Sequence, residues 1–223
     1  MPVTDSSLRD EYAAAVERVA GRALDALTGG GRAVALTDPT STAELAALRV
    51  LGPDLFAAQL LTGAPLESVT TASLAAALLA FPPDPAEPVG QDALVVAWLD
   101  HVSGFLAGRA APQPAQPPDP EHWQRWSVRM AQLAPLALPG LDGPVHRAVR
   151  HRPLALARGA TRAMLRRDHR TALRLTRWLA WLGTPVPLEL PPLLDRLRLV
   201  GDGSRRTELE LAITGLLLTE GLR

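Results

Sequence analysis

Five arginines, Arg158, Arg162, Arg166, Arg170 and Arg174, recur at every fourth position of a stretch otherwise rich in leucine and alanine, and Arg177 follows them. On a helix turning about 100° per residue, Arg158, Arg162 and Arg166 share a wedge about 80° wide. Leu154, Leu156, Ala157, Ala160, Ala163, Met164 and Leu165 cover most of the remaining circumference. The pattern therefore predicts a helix that is buried on most of its surface, with one charged strip reaching out.

The phase of this helix tests whether it continues past Arg167. In an unbroken helix Asp168 would point from the middle of the apolar side, where an unpaired carboxylate is costly. If the chain turns instead, Asp168 becomes the N-cap of a second helix and accepts backbone N–H bonds that would otherwise be unmet. The hairpin is the expected form. Its second helix, over residues 169–182, sets Ala172, Leu175, Leu179 and Leu182 on one side, with Arg170, Arg174 and Arg177 on another and Trp178 and Trp181 beside them. Arg174 with Trp178 and Arg177 with Trp181 are i,i+4 pairs, the spacing at which a guanidinium can lie on an indole face. Arg158, Arg162, Arg166, Arg170, Arg174, Arg177, Trp178 and Trp181 are accordingly the candidate partner-binding residues, since a mixed Arg and Trp face has the composition of an interface hot spot. The plain alternative is that both indoles are core packed against a neighbouring helix.

Charge is distributed unevenly along the chain. Residues 1–145 carry 8 Arg against 16 acids, residues 146–178 carry 10 Arg against 1, and residues 179–223 carry 5 against 6, so a formal charge of zero conceals a dipolar molecule. The basic segment must face either the acidic half of its own chain or an anionic partner.

Ala and Leu dominate while β-branched and aromatic residues are scarce, which favours helix over sheet. Ser7 with Asp10 resembles a capping box for a helix carrying Leu8, Tyr12, Val16, Val19, Ala23 and Leu27, stopped by Gly29, Gly30 and Gly31. No Lys follows those glycines, so the phosphate-loop pattern fails and a joint remains. Val34 and Leu36 suggest a short extended piece. Ser41 with Glu44 opens a helix ending at Gly52, Asp54 is placed as the cap of a short one closed by Gly63, and a third runs from Pro65 to Phe81. This trio resembles a helix-turn-helix core in outline, but it holds one Arg against three acids, and phosphate neutralisation needs cations.

After PPDPAEPVG, Asp92 is expected to cap a helix whose stripe is Leu94, Val95, Trp98, Leu99, Val102, Phe105 and Leu106. The run APQPAQPPDP then predicts a solvated, partly polyproline spacer and a domain boundary. Asp119, Pro120 and Glu121 signal the next helix start, with Trp123, Trp126, Met130 and Leu133 on its inner stripe. Helices over 191–200 and 204–218 complete the chain.

Missing residues exclude much chemistry. With no Cys there is no thiolate nucleophile, zinc knuckle or iron–sulfur cluster, and with no Lys no Schiff base. No G-x-S-x-G elbow or H-E-x-x-H motif occurs, and none of His101, His122, His146, His151 and His169 pairs with another at i,i+4. No metal site, cofactor or catalytic residue is therefore expected, and the weight falls against an enzyme. The N-terminus lacks a signal-peptide pattern, and no 18-residue apolar run is free of charge or proline, so a cytoplasmic protein with no membrane contact is expected.

The resulting expectation is an all-α multi-helix bundle with a helical-hairpin, repeat-like C-terminal half. It comprises an acidic region over 1–108, a Pro-rich linker over 109–120 and a region bearing the basic Arg/Trp face over 121–223. The function expected is that of a non-catalytic adaptor or regulatory protein docking on an acidic protein surface. Two alternatives stand beside it: nucleic-acid binding by the same face, and a helical enzyme or small-molecule binder with its pocket between the halves.

Overall fold

In the computed structural model, residues 5–29, 41–84 and 88–220 are described, and among them every regular element is helical. The proposed extended piece at Val34 and Leu36 lies outside the described residues. The helices are α1 (Asp5–Leu27), α2 (Thr42–Leu51), α3 (Ala57–Thr62), α4 (Ser68–Ala80), α5 (Gln91–Leu106) and α6 (Trp123–Gln132) in the first part of the chain. The remainder are α7 (Pro144–Arg150), α8 (Pro153–Leu165), α9 (His169–Leu182), α10 (Leu190–Val200) and α11 (Arg205–Glu220), with 3-10 turns at Gly52–Phe56 and Ala134–Leu136.

Helix α9 is the central post. It packs against α6, α8, α10 and α11 together, while α1 lies along α11 and α2. One core draws Val16 and Val19 from α1, Leu48 and Leu51 from α2, Leu74 from α4, Leu106 from α5, Ala180 from α9 and Leu209 and Ile213 from α11. A second gathers Trp98, Trp126, Met130, Val145, Leu156, Leu175 and Trp178. Val102 and Trp181 pack against both and join them. Thr42–Thr62 is apolar and long enough to cross a membrane by composition, yet its Leu48, Leu51, Phe56 and Leu61 are buried in the first core.

Several helix ends follow their local signals. The Ser41 hydroxyl accepts from the Glu44 backbone N–H at 3.2 Å, and Gly63 and Gly183 close their helices at φ 68° and 59°, a backbone region that costs glycine nothing. Other ends depart from theirs. Helix α1 already runs from Asp5, so Ser7 lies inside it and does not cap it. Asp92 sits in the first turn of α5, and Gly90 takes the capping position. Asp119 accepts from the Glu121 N–H at 2.8 Å and shapes a turn, while α6 begins later, at Trp123. Phe105, placed by periodicity on the inner stripe of α5, is 68% exposed.

The proline-rich run after α5 is strapped to that helix and is not a freely solvated tether. The Trp98 indole N–H donates to the Gln116 carbonyl at 2.9 Å, His101 Nδ1 lies 3.0 Å from the Ala111 carbonyl, and the Asp119 N–H donates to the Gln91 side chain at 2.8 Å. Pro114 and Pro118 are buried. The first two bonds give the Gln116 and Ala111 carbonyls a donor that neighbouring prolines, lacking an N–H, cannot supply.

Candidate functional site

Helices α8 and α9 form the hairpin that the phase of Asp168 requires. Arg167 takes the left-handed conformation at φ 59°, the Asp168 N–H returns to the Ala163 carbonyl at 2.9 Å, and the Asp168 carboxylate accepts from the Thr171 N–H at 3.1 Å. The carboxylate that would have been stranded on an apolar face is thus spent on an otherwise unmet backbone donor.

The six arginines divide on either side of this turn. Arg158, Arg162, Arg166 and Arg170 are exposed. None of Arg158, Arg162 and Arg166 forms an ion pair with a described residue, whereas Arg174 and Arg177 are drawn inward to acids. Arg174 grips Glu210 of α11 through Nε at 3.2 Å and Nη2 at 2.9 Å, a two-pronged contact between planar groups. Burial alone would lower the Arg174 pKa, but the Glu210 carboxylate outweighs it and holds Arg174 above the ordinary arginine value. Arg206 reaches the same carboxylate at only 3.7 Å, and its own pKa is depressed by burial and then by its neighbour Arg174.

Arg177 is 1% exposed, with Nη2 2.7 Å from Asp54 Oδ1 in the 3-10 turn after α2. Its Nε and Nη2 also donate to the Ala137 and Pro135 carbonyls, each at 3.3 Å, while Nη1 has no hydrogen-bond partner. Asp54 is therefore a buried counter-ion, not the helix cap its local setting suggests.

The tryptophans also turn inward. Trp178 is fully buried and its indole N–H donates to the Met130 carbonyl at 2.7 Å. Trp181 is half-buried, edge-on to Trp178 at 5.6 Å between ring centroids. The expected stacking of Arg174 on Trp178 and Arg177 on Trp181 does not occur, because buried carboxylates attract those guanidiniums more strongly than indole faces do. The guanidinium over Trp181 is that of Arg150, 4.9 Å from the ring centroid and also 3.0 Å from Asp142. Of the eight candidates, Arg158, Arg162, Arg166 and Arg170 are exposed and Trp181 is half-buried, while Arg174, Arg177 and Trp178 have little or no surface to offer a partner.

Two of those outer arginines, Arg162 and Arg166, border a groove whose second wall is helix α6. Helix α6 lies against α8 so closely that a Cβ on Gly159 would sit 2.6 Å from the Cβ of Ser127. Beside this crossing runs an open groove of about 460 Å³, into which α6 contributes Arg125, Val128 and Arg129, α8 contributes Arg162 and Ala163, and Arg166 follows at the C-cap of α8. Asp92 and Asp168 stand at its edges. The sequence signal for its second wall was available: Arg125 and Arg129 are four apart, as the arginines of α8 are, and sit among the outward positions of a helix whose inner stripe is Trp126 and Met130.

Elsewhere, a hollow of about 480 Å³ separates α5 from the proline-rich segments, walled by Pro83, Pro88, Pro112 and Pro114 with Asp100 and His101 at its floor. Asp100 is engaged with Arg49 of α2. No cluster of three potential metal ligands occurs among the described residues. Compared with known protein families, curated proteins and solved structures, the chain matches none.

Proposed function

We propose that this protein is a non-catalytic docking protein, an adaptor or regulatory partner, that engages an acidic surface of another protein through the outer arginines of the α8–α9 hairpin. The observation that carries this reading is the division of the arginines: Arg174 and Arg177 are neutralised internally, while Arg158, Arg162 and Arg166 reach solvent and form no ion pair with any acid among the described residues. Uncompensated positive charge on one strip attracts and orients an anionic partner. Leu154 and Leu165 on the same helix are 52% and 82% exposed, giving a protein partner apolar surface to bury beside the charges. A protein partner is also favoured over single-stranded nucleic acid because α9 turns Trp178 inward and leaves the strip without an exposed indole for bases to stack on.

The test is charge reversal at Arg158, Arg162 and Arg166 together. The variant should keep the wild-type helical circular dichroism spectrum and lose at least tenfold in affinity for protein partners captured by the wild type. Undiminished binding overturns the reading. Submicromolar binding of the wild type to DNA or RNA at physiological salt would transfer the strip to nucleic acid, provided log affinity falls with log salt by about 0.7 to 0.9 per phosphate contacted.

A further inference from the structure

Charge and shape at the α6–α8 groove go further than a basic strip. Four arginines, Arg125, Arg129, Arg162 and Arg166, border one open channel, and the two acids beside them leave it a formal charge of +2. Those acids are poorly placed to neutralise it. Asp168 is committed to the Thr171 N–H, and Asp92, 92% exposed, comes only to 3.7 Å of Arg129. Arg129 Nε is shut away from water and makes no hydrogen bond among the described residues, so its 3.7 Å approach to Asp92 is the one acidic contact it has there. Between the charged rims Val128, 49% exposed, gives the channel an apolar element.

We infer that this groove is a binding site for a short acidic segment of the partner protein, one that places two carboxylates between the opposing arginine walls and an apolar side chain against Val128. Two carboxylates match the groove's formal charge, and a guanidinium presents its paired N–H donors in the geometry a carboxylate accepts. The apolar contact at Val128 favours a peptide over a free anion, which would leave Val128 uncovered. The close α6–α8 crossing at Gly159 and Ser127 holds the two walls at a set separation, so the arginines need little rearrangement to bind. The inference rests on the docking reading above but makes a distinct claim, because the residues separate. Arg158 and Arg170 belong to the strip alone, Arg125 and Arg129 to the groove alone, and Arg162 and Arg166 to both.

The experiment uses fluorescence anisotropy with the full chain and a labelled twelve-residue peptide alternating glutamate pairs with leucine, beside a control in which lysine replaces every glutamate. The acidic peptide is expected to bind, the lysine control not to bind, and Arg125→Ala with Arg129→Gln to weaken binding at least tenfold with the helical spectrum unchanged. Arg196→Ala, which removes an exposed arginine of α10, should leave binding unaltered. If Arg158→Ala with Arg170→Ala weakens binding while the groove pair does not, the docking strip survives and the groove site is overturned. Loss of binding in neither pair, or no binding of the acidic peptide to the wild type, overturns both. Inorganic phosphate displacing the peptide at equimolar concentration would also overturn it, by marking the groove as a simple anion site.

Discussion

Arg177 shows how a single residue can be charged, central and yet structural. Its guanidinium joins α9 to the turn after α2 through Asp54 and fills two carbonyl acceptors of the 134–138 segment. Removing one partner of a buried pair leaves the other charge without compensation, at roughly 3–5 kcal/mol. Arg177→Met is therefore expected to lower the unfolding free energy measured by urea denaturation by an amount in that range, and Asp54→Leu added to it should recover part of the loss, although the two carbonyls remain unmet. A single mutant as stable as wild type would show the pair to be dispensable. His146 makes a second prediction, about pH. It is buried against Trp178 and Trp181, and its Nε2 lies 2.9 Å from the Leu136 carbonyl, an acceptor that calls for the N–H on that nitrogen. Burial pushes its pKa below the ordinary 6.5, against the raising influence of that hydrogen bond and of Asp142. As pH falls through 6.5 the unfolded chain takes up a proton that the folded ring resists, so this contribution to stability is complete above that value and declines below it. The melting temperature should drop more steeply from pH 7 to pH 5 in the wild type than in His146→Phe. Parallel profiles would remove His146 from the acid response.

Individual helices were legible from the sequence wherever the deciding signal is local. The Ser41 and Asp168 caps, the terminal glycine of α3 and the inward Trp126 and Met130 of α6 each act within one or two turns, and each stands where the spacing put it. Asp54 and Asp92 carry the same local signature as Asp168 and cap nothing: Asp92 is exposed in the first turn of α5, and Asp54 is paired with Arg177, a distant guanidinium that leaves no mark in nearby residues. The groove was half legible for the same reason: the α8 wall is a four-residue repeat, whereas its pairing with α6 depends on Gly159. That glycine gives the element scale its own prediction. Gly159→Ala drives a methyl group into Ser127 and should cost about 1–3 kcal/mol as an overpacked contact. Exchanging the small residues, Gly159→Ala with Ser127→Gly, should recover part of the lost melting temperature, since Leu175 Cδ1 still lies 2.9 Å from the new Cβ and a glycine inside α6 weakens that helix. No loss in the single variant would mean that the α6–α8 crossing is loose, and with it the spacing of the arginine walls.

Across the whole molecule, ion pairs and hydrogen bonds tie together helices that lie far apart in the chain. Arg22 of α1 meets Glu44 of α2 at 3.0 Å, Arg49 of α2 meets Asp100 of α5, Asp54 meets Arg177, and the backbone N–H of Arg205 donates to Glu17 at 2.8 Å. The last two cross the proline-rich strap, as does the first core, in which Val19 and Leu48 pack with Ala180 and Ile213. A chain cut in the strap would expose on each side apolar surface whose cover lies on the other, and Asp54 and Arg177 would each lose the opposite charge. Fragments 1–114 and 115–223, prepared separately, are therefore expected to show weaker helical circular dichroism than their share of the intact chain and to regain it on mixing at micromolar concentration. Thermal unfolding of the intact protein should follow as one cooperative transition. Two fragments that each fold alone, with separate melting transitions, would instead make the strap a true boundary and reduce the contacts across it to docking between independent units.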